Sequence, residues 1–155
     1  MPLRKRTRTN QEIVPTDWLP LEENVEIEVS SEDPDWPIEG ALLPETTRGW
    51  RAAHAGAQTL RLRFDEPQAL SAIHLEFEEA EQERLQEFAL QWSDDSGRTF
   101  RPIVRQQFSF SPAGATREVE HYAVDLVGVT DLVLHVTPDV SGRPIVASLS
   151  ALRLR

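Results

Sequence analysis

FALQWSDDSGRTFRPI, residues 88–103, is the stretch whose reading decides the fold. On its N-terminal side Phe88, Leu90 and Trp92 alternate with Ala89 and Gln91, the period of a strand buried on one face. On its C-terminal side the run FRPIVRQQFSF is again β-prone. Between them, Ser93 to Phe100 follows the pattern Ser-x-Asp-x-Gly-x-Thr-aromatic. Asp95 is placed to accept hydrogen bonds from the N–H groups of its own turn. Gly97 suits the positive φ that a tight hairpin asks for. A calcium loop needs acids at alternate positions before a glycine, which this segment lacks. The motif also occurs once, without the internal repetition of a propeller. It reads as a hairpin joining two strands.

Working outward, the same alternation recurs. NVEIEVSS sets Val25, Ile27 and Val29 against Glu26 and Glu28, and QTLRLRF sets Leu60, Leu62 and Phe64 against Arg61 and Arg63. SAIHLEFEE alternates Ile73, Leu75 and Phe77 with His74, Glu76 and Glu78. HYAVDLVG, TDLVLHVTPD and SLSALRLR continue the series, with turn residues at Pro67, Gly97, Pro112–Gly114, Gly128 and Pro138–Gly142. About eight short strands with such punctuation predict an all-β, antiparallel two-sheet sandwich or barrel. EFEEAEQERLQEFALQW is rich in helix-favouring Glu and Gln. Its apolar flanks nevertheless keep period two, so a strand, an acidic loop over Glu78–Glu83 and a second strand fit better. Before Asn24, and again between Val29 and Trp50, prolines at 15, 20, 34, 37 and 44 disfavour regular ladders. The second of these stretches is a long connection whose Trp36, Ile38, Leu42 and Leu43 suggest a packed loop. The chain thus divides into a basic, proline-containing segment over residues 1–23 and one β-domain over 24–155.

At 155 residues the chain suits one domain. It has no cysteine, which excludes disulfides, thiolate metal sites and a cysteine nucleophile. The net charge is −10, and Arg4, Lys5, Arg6 and Arg8 crowd the start, so the rest is more acidic still. An acidic body repels phosphate backbones, which argues against nucleic acid as a partner. The start, MPLRKRTRTNQEIVPTDW, has basic residues but no apolar run after them, so it is not read as a secretory signal. No stretch approaches the ~20 apolar residues of a transmembrane span. The expectation is a soluble, cytoplasmic protein.

Taken in order, the pieces resemble the discoidin domain, also called the coagulation-factor 5/8 type C domain, among the galactose-binding-like jelly rolls. The likeness runs through VSSEDPDWPIEGALLPETTRGWRAA, QTLRLRFDEPQALSAIHLEF, the hairpin FALQWSDDSGRTFRPI and the ending YAVDLVGVTDLVLHVTPD…ASLSALRLR, over residues 24–155. It implies loops at one end of the sandwich that present a ligand site for glycans, phospholipid headgroups or protein partners. Some members hold a structural calcium through loop carbonyls, an acidic loop residue and a Glu near the last strand. Glu39 is the acidic loop residue on offer here, but Ser150 stands where many relatives carry that Glu. No other cofactor is expected.

Two clusters are candidates for the site. Trp36, Arg48, Trp50 and His54 lie on the long loop and the strand after it. Aromatic faces stack on sugar C–H groups, while guanidinium and imidazole donors read hydroxyls. The alternative is that Trp50 plugs the sandwich and Arg48 is a surface charge. Arg105 and Gln107 form the second cluster, where they either read hydroxyls or a carboxylate or simply make the wet face of a strand. No histidine pair has zinc spacing, and G-x-S-x-G, P-loop, HExxH and GxGxxG are absent. The acids are spread without the facing pair a glycosidase needs. The expectation is a binding module for carbohydrate rather than an enzyme, with a protein-interaction subunit as the alternative.

Overall fold

The alternating runs form eight strands, described over residues 18–45 and 48–155 in a computed structural model. They are β1 (Val25–Val29), β2 (Trp50–Ala55), β3 (Gln58–Glu78), β4 (Arg84–Ser93), β5 (Arg101–Phe110), β6 (Arg117–Thr137), β7 (Val146–Leu149) and β8 (Ala151–Leu154). One helical turn, α1 (Glu39–Leu42), lies between β1 and β2. All pairings are antiparallel: β1-β3-β6-β4-β5 in one ladder with β8 also on β3, and β2-β7 as a separate pair.

Two strands are longer than the sequence suggests. Pro67 and Gly128, expected as breaks, fall inside β3 and β6, where the register shifts repeatedly between Arg63 and Ala72. Bulges absorb the irregular residues and bend the pair instead of ending it. The bend is what makes two layers. Gln58 is cross-strand from Val136, and Val136 from Phe88. Yet Phe77, about 60 Å further along a straight strand, stacks on that same Phe88 with ring centroids 5.3 Å apart. The ladder therefore folds back on itself. Its interior is filled by Leu60, Leu62, Phe88, Leu90, Leu132 and Leu134 against Ile73, Leu75, Phe77, Leu152 and Leu154, all buried.

The hairpin at 93–100 forms as its residues dictate. Asp95 accepts from the Thr99 N–H at 2.9 Å and the Thr99 hydroxyl at 2.6 Å, and Gly97 has φ +85°. These bonds, with that from Ser93, hold the Asp95 carboxyl well below the usual carboxylate range. The acidic segment 79–83 is a loop, with no helical turn. At the N-terminal end the fold begins earlier than residue 24. Leu21 is buried, the Leu19 N–H donates to the Leu154 carbonyl at 2.6 Å, and Trp18 packs on His74 and His121. Arg4 to Arg8 lie outside the described residues.

The sandwich also buries a polar row between β4 and β6. Arg84 donates to Glu79, Gln86 and the Pro138 carbonyl, and Gln86 donates to Glu118 Oε1 at 3.1 Å. Glu118 Oε2 is buried without a partner. Burial, followed by the neighbouring Glu120 carboxyl, pushes the Glu118 pKa up to about 8. The unfolded chain loses this proton near the ordinary value of 4.5 while the folded chain keeps it until about pH 8. Glu118 therefore withdraws stability as pH rises through that window. Denaturant titrations at several pH values should show E118Q relieving this loss by about 2 kcal/mol at the alkaline end, with little difference near pH 4. Parallel pH profiles for the two proteins would refute the assignment.

Candidate functional site

The residues at the end of β1 fix everything around the long loop. Ser30 and Ser31 both donate to Gln58 Oε1, and the Ser31 hydroxyl accepts the Ala53 N–H at 3.0 Å. The Ser31 carbonyl accepts the indole N–H of Trp50 at 3.0 Å, so that ring enters the core, 2% exposed, with its one polar group satisfied. Alternation along β2 then turns Arg51 outward. The loop is packed, as expected: Ile38, Ala41 and Leu42 are buried, and the Glu32 and Asp33 carboxylates accept the N–H groups of Ile38 and Asp35.

Two backbone contacts return Arg48 and Arg51 to Trp36. Gly49 N–H donates to the Gly40 carbonyl, and a Cβ on Gly40 would lie 2.5 Å from Gly49 O, so only glycine permits this approach. Trp36 and Arg51 are joined directly, the Arg51 N–H donating to Trp36 O at 3.1 Å while Arg51 O accepts from Asp33. In consequence the Arg51 guanidinium carbon sits 4.0 Å from the Trp36 ring centroid and that of Arg48 4.4 Å from it. Arg48 is held further by its Nε–H donating to Asp35 O at 2.7 Å. Among the described residues neither arginine is ion-paired with a carboxylate.

These side chains border a concavity of about 280 Å³, closed by Glu78, Ser148 and Ser150, with Trp50 and Leu149 lining it from the core side. It shares Arg51, Glu78 and Ser148 with a longer groove of about 690 Å³ that runs past Ala53 toward Glu79, Glu81 and Arg117. Trp36 and Arg48 are thus brought together. Trp50 contributes as buried support, and its ring is not available for stacking. His54 is exposed four residues along β2 and lines neither depression. Arg105 and Gln107 lie on β5, both donating to Glu87 on the outer face of the β4–β5 pair, away from this corner. Those two bonds lower the Glu87 pKa. Arg51, Glu78 and Ser148 are the residues the sequence reading did not pick out. For Arg51 the signal was present, because a Trp50 that points inward requires a neighbour that points outward.

The donors do not fit the calcium that the resemblance implies. Arg153, on β8, donates Nη1–H to the Ala41 carbonyl at 2.8 Å, placing a fixed positive charge on the loop that would have to offer carbonyls to a dication. Burial, the main influence on it, lowers the Arg153 pKa from its very high ordinary value, leaving it charged at neutral pH. Glu39 is exposed at the start of α1, and the Ser150 hydroxyl is committed to Glu78. Among the described residues no three His, Asp or Glu side chains converge on one point.

A family model described as the F5/8 type C domain matches residues 26–129. No curated protein matches. Among solved structures, the family 32 carbohydrate-binding module of Clostridium perfringens NanJ, in complex with galactose, superposes with a TM-score of 0.63 at 12% identity, covering 84% of this chain and 93% of that one. A pectin-binding carbohydrate-binding module gives 0.60 at 17% identity, with 86% and 91% covered. A Ruminococcus gnavus GH29 fucosidase in complex with fucose gives 0.69 at 10% identity; 94% of this chain matches 28% of the enzyme.

Millimolar calcium and excess chelator should leave the melting temperature unchanged, whereas R153M should lower stability by about 1–3 kcal/mol by stranding the Ala41 carbonyl. A melting temperature that climbs with calcium concentration would show that the loop holds the ion after all.

Proposed function

Because this chain belongs to the F5/8 type C domain family, we propose that it is a non-catalytic carbohydrate-binding module whose site is the corner formed by Trp36, Arg48 and Arg51. The observation that carries the reading is the concavity itself: an aromatic ring and two guanidinium groups, with Ser148, Ser150 and Glu78 beside them. Sugars present hydroxyls that need both donors and acceptors, and this rim supplies both. The fold-level neighbours described in complex with galactose or as pectin-binding support the ligand class. The match to 28% of a fucosidase supports the idea of a domain that accompanies a catalytic unit.

Energetically such a site gains from being built in advance. The Trp36 main chain is fixed by bonds to Asp33 and Arg51, its ring is packed by the Arg48 and Arg51 guanidinium groups, and Arg48 is held by Asp35, so part of the ordering cost of binding is met before the ligand arrives. The contiguous groove leaves room for a chain of sugars running from Trp36 along β2 toward the 79–82 loop.

A glycan array followed by calorimetry on any hit tests this. W36A and R48A should each weaken binding by about ten-fold or more, while R105A and Q107A should stay within about two-fold of the parent protein. An array without a hit, or affinity that survives W36A and R48A, would overturn the reading.

A further inference from the structure

The corner at Trp36 has a chemistry more specific than sugar binding in general. A neutral sugar recognised by stacking needs an open aromatic face. Here two guanidinium groups stand 4.0 and 4.4 Å from the Trp36 ring centroid, where a sugar ring would lie. A hexose stacking on Trp36 would first have to displace an attractive cation–π contact. The same contacts leave the outer edges of both arginines as the surface that meets a ligand.

Among the described residues no carboxylate meets those edges. Arg48 spends its Nε–H on Asp35 O, which fixes its plane and leaves its terminal nitrogens. Arg51 is anchored through its main chain on both sides, to Asp33 and Trp36. Many other arginines meet an acid: Arg61 and Arg63 meet Asp131, Arg105 meets Glu87, Arg117 meets Glu76 and Arg143 meets Asp139, whereas Arg98, Arg153 and Arg155, like Arg48 and Arg51, show no carboxylate partner among the described residues. In a protein of net charge −10, two arginines gathered on one indole ring without a carboxylate partner among the described residues concentrate positive charge beside a concavity. A guanidinium is charged at every relevant pH, and its planar fork matches the two oxygens of a carboxylate. Salt over roughly 8–10 Å screens the more distant acids from an anion at this corner, while Glu78, which lines the concavity, opposes it and the two guanidinium groups must outweigh that one carboxylate.

We infer that the ligand carries a carboxylate: a glycan containing a uronic or sialic acid, whose carboxylate sits against Arg48 and Arg51. This rests on the carbohydrate-binding reading above and narrows it. Trp36 then acts as a backing that orients the two guanidinium groups.

Calorimetry on the full chain tests the inference with oligogalacturonate, oligomannuronate and sialyllactose, each paired with its carboxyl methyl ester. The ester keeps the skeleton and removes the charge. At least one acid should bind about ten-fold more tightly than its ester, and the preferred acid identifies the sugar. Added salt should weaken the acid and spare the ester. The double variant R48Q/R51Q, checked for an unchanged melting temperature, should bring the acid-to-ester ratio close to one. R48K/R51K, which keeps the charge and loses the fork, should retain part of the preference. Equal affinities for acid and ester overturn the inference, as does a preference that persists in R48Q/R51Q. If neutral glycans bind and W36A abolishes that binding, the carbohydrate reading survives while this one falls. If no glycan of either kind binds, both fall.

Discussion

The buried indole of Trp50, hydrogen-bonded to the Ser31 carbonyl, is the contact on which the candidate site depends. It pins the start of β2 to the end of β1 and sets which residues of β2 face inward. With Trp50 committed to the core, Arg51 faces solvent, and the backbone pairing of Arg51 with Trp36 and Asp33 follows from the same register. The approach of Gly40 to Gly49 closes the loop from the other side and delivers Arg48. A hydrophobic constraint in the core thus fixes the geometry of a polar surface, with few rotatable bonds left to chance.

Much of the architecture is legible from periodicity alone, because one-sided burial leaves a period of two in every strand. The hairpin at Asp95 and Gly97 is equally legible, since local hydrogen bonding and backbone handedness determine it. What periodicity misses is how strands join. Pro67 and Gly128 look like chain breaks, but a break and a bulge use the same residues, and only cross-strand pairing decides between them. The site divides in the same way. Trp36 and Arg48 are recognisable by type and proximity in the chain. Glu78 and Ser148 reach the site through tertiary packing, and no local pattern announces that. Trp50 is ambiguous in sequence because core tryptophans and ligand-stacking tryptophans share one residue type. Arg105 and Gln107 have suitable chemistry on the wrong surface, where Glu87 already satisfies them.

The treatment of charge is consistent through the molecule. Arg153 stands against the loop carbonyl of Ala41, in the loop for which the family resemblance implies a metal ion, which makes the loop's support covalently part of the chain. Arg84 lies buried in a row of polar groups that is almost fully hydrogen-bonded, with Glu118 carrying the unsatisfied oxygen and the raised pKa. Most exposed arginines are matched to acids. Against that background the two guanidinium groups over Trp36 are a place where two positive charges without a carboxylate partner among the described residues border one concavity, in a loop fixed by backbone contacts.

The central claim is that ligand is read at this corner and nowhere else on the sandwich. Nuclear magnetic resonance of nitrogen-labelled protein during titration with a bound glycan addresses it directly. The account predicts shifts at the Trp36 indole N–H, at the Arg48 and Arg51 side chains and at the Ser148 amide, with Arg105, Gln107 and His54 unmoved. Shifts confined to the outer face of β4 and β5, with the Trp36 indole unchanged, would contradict it.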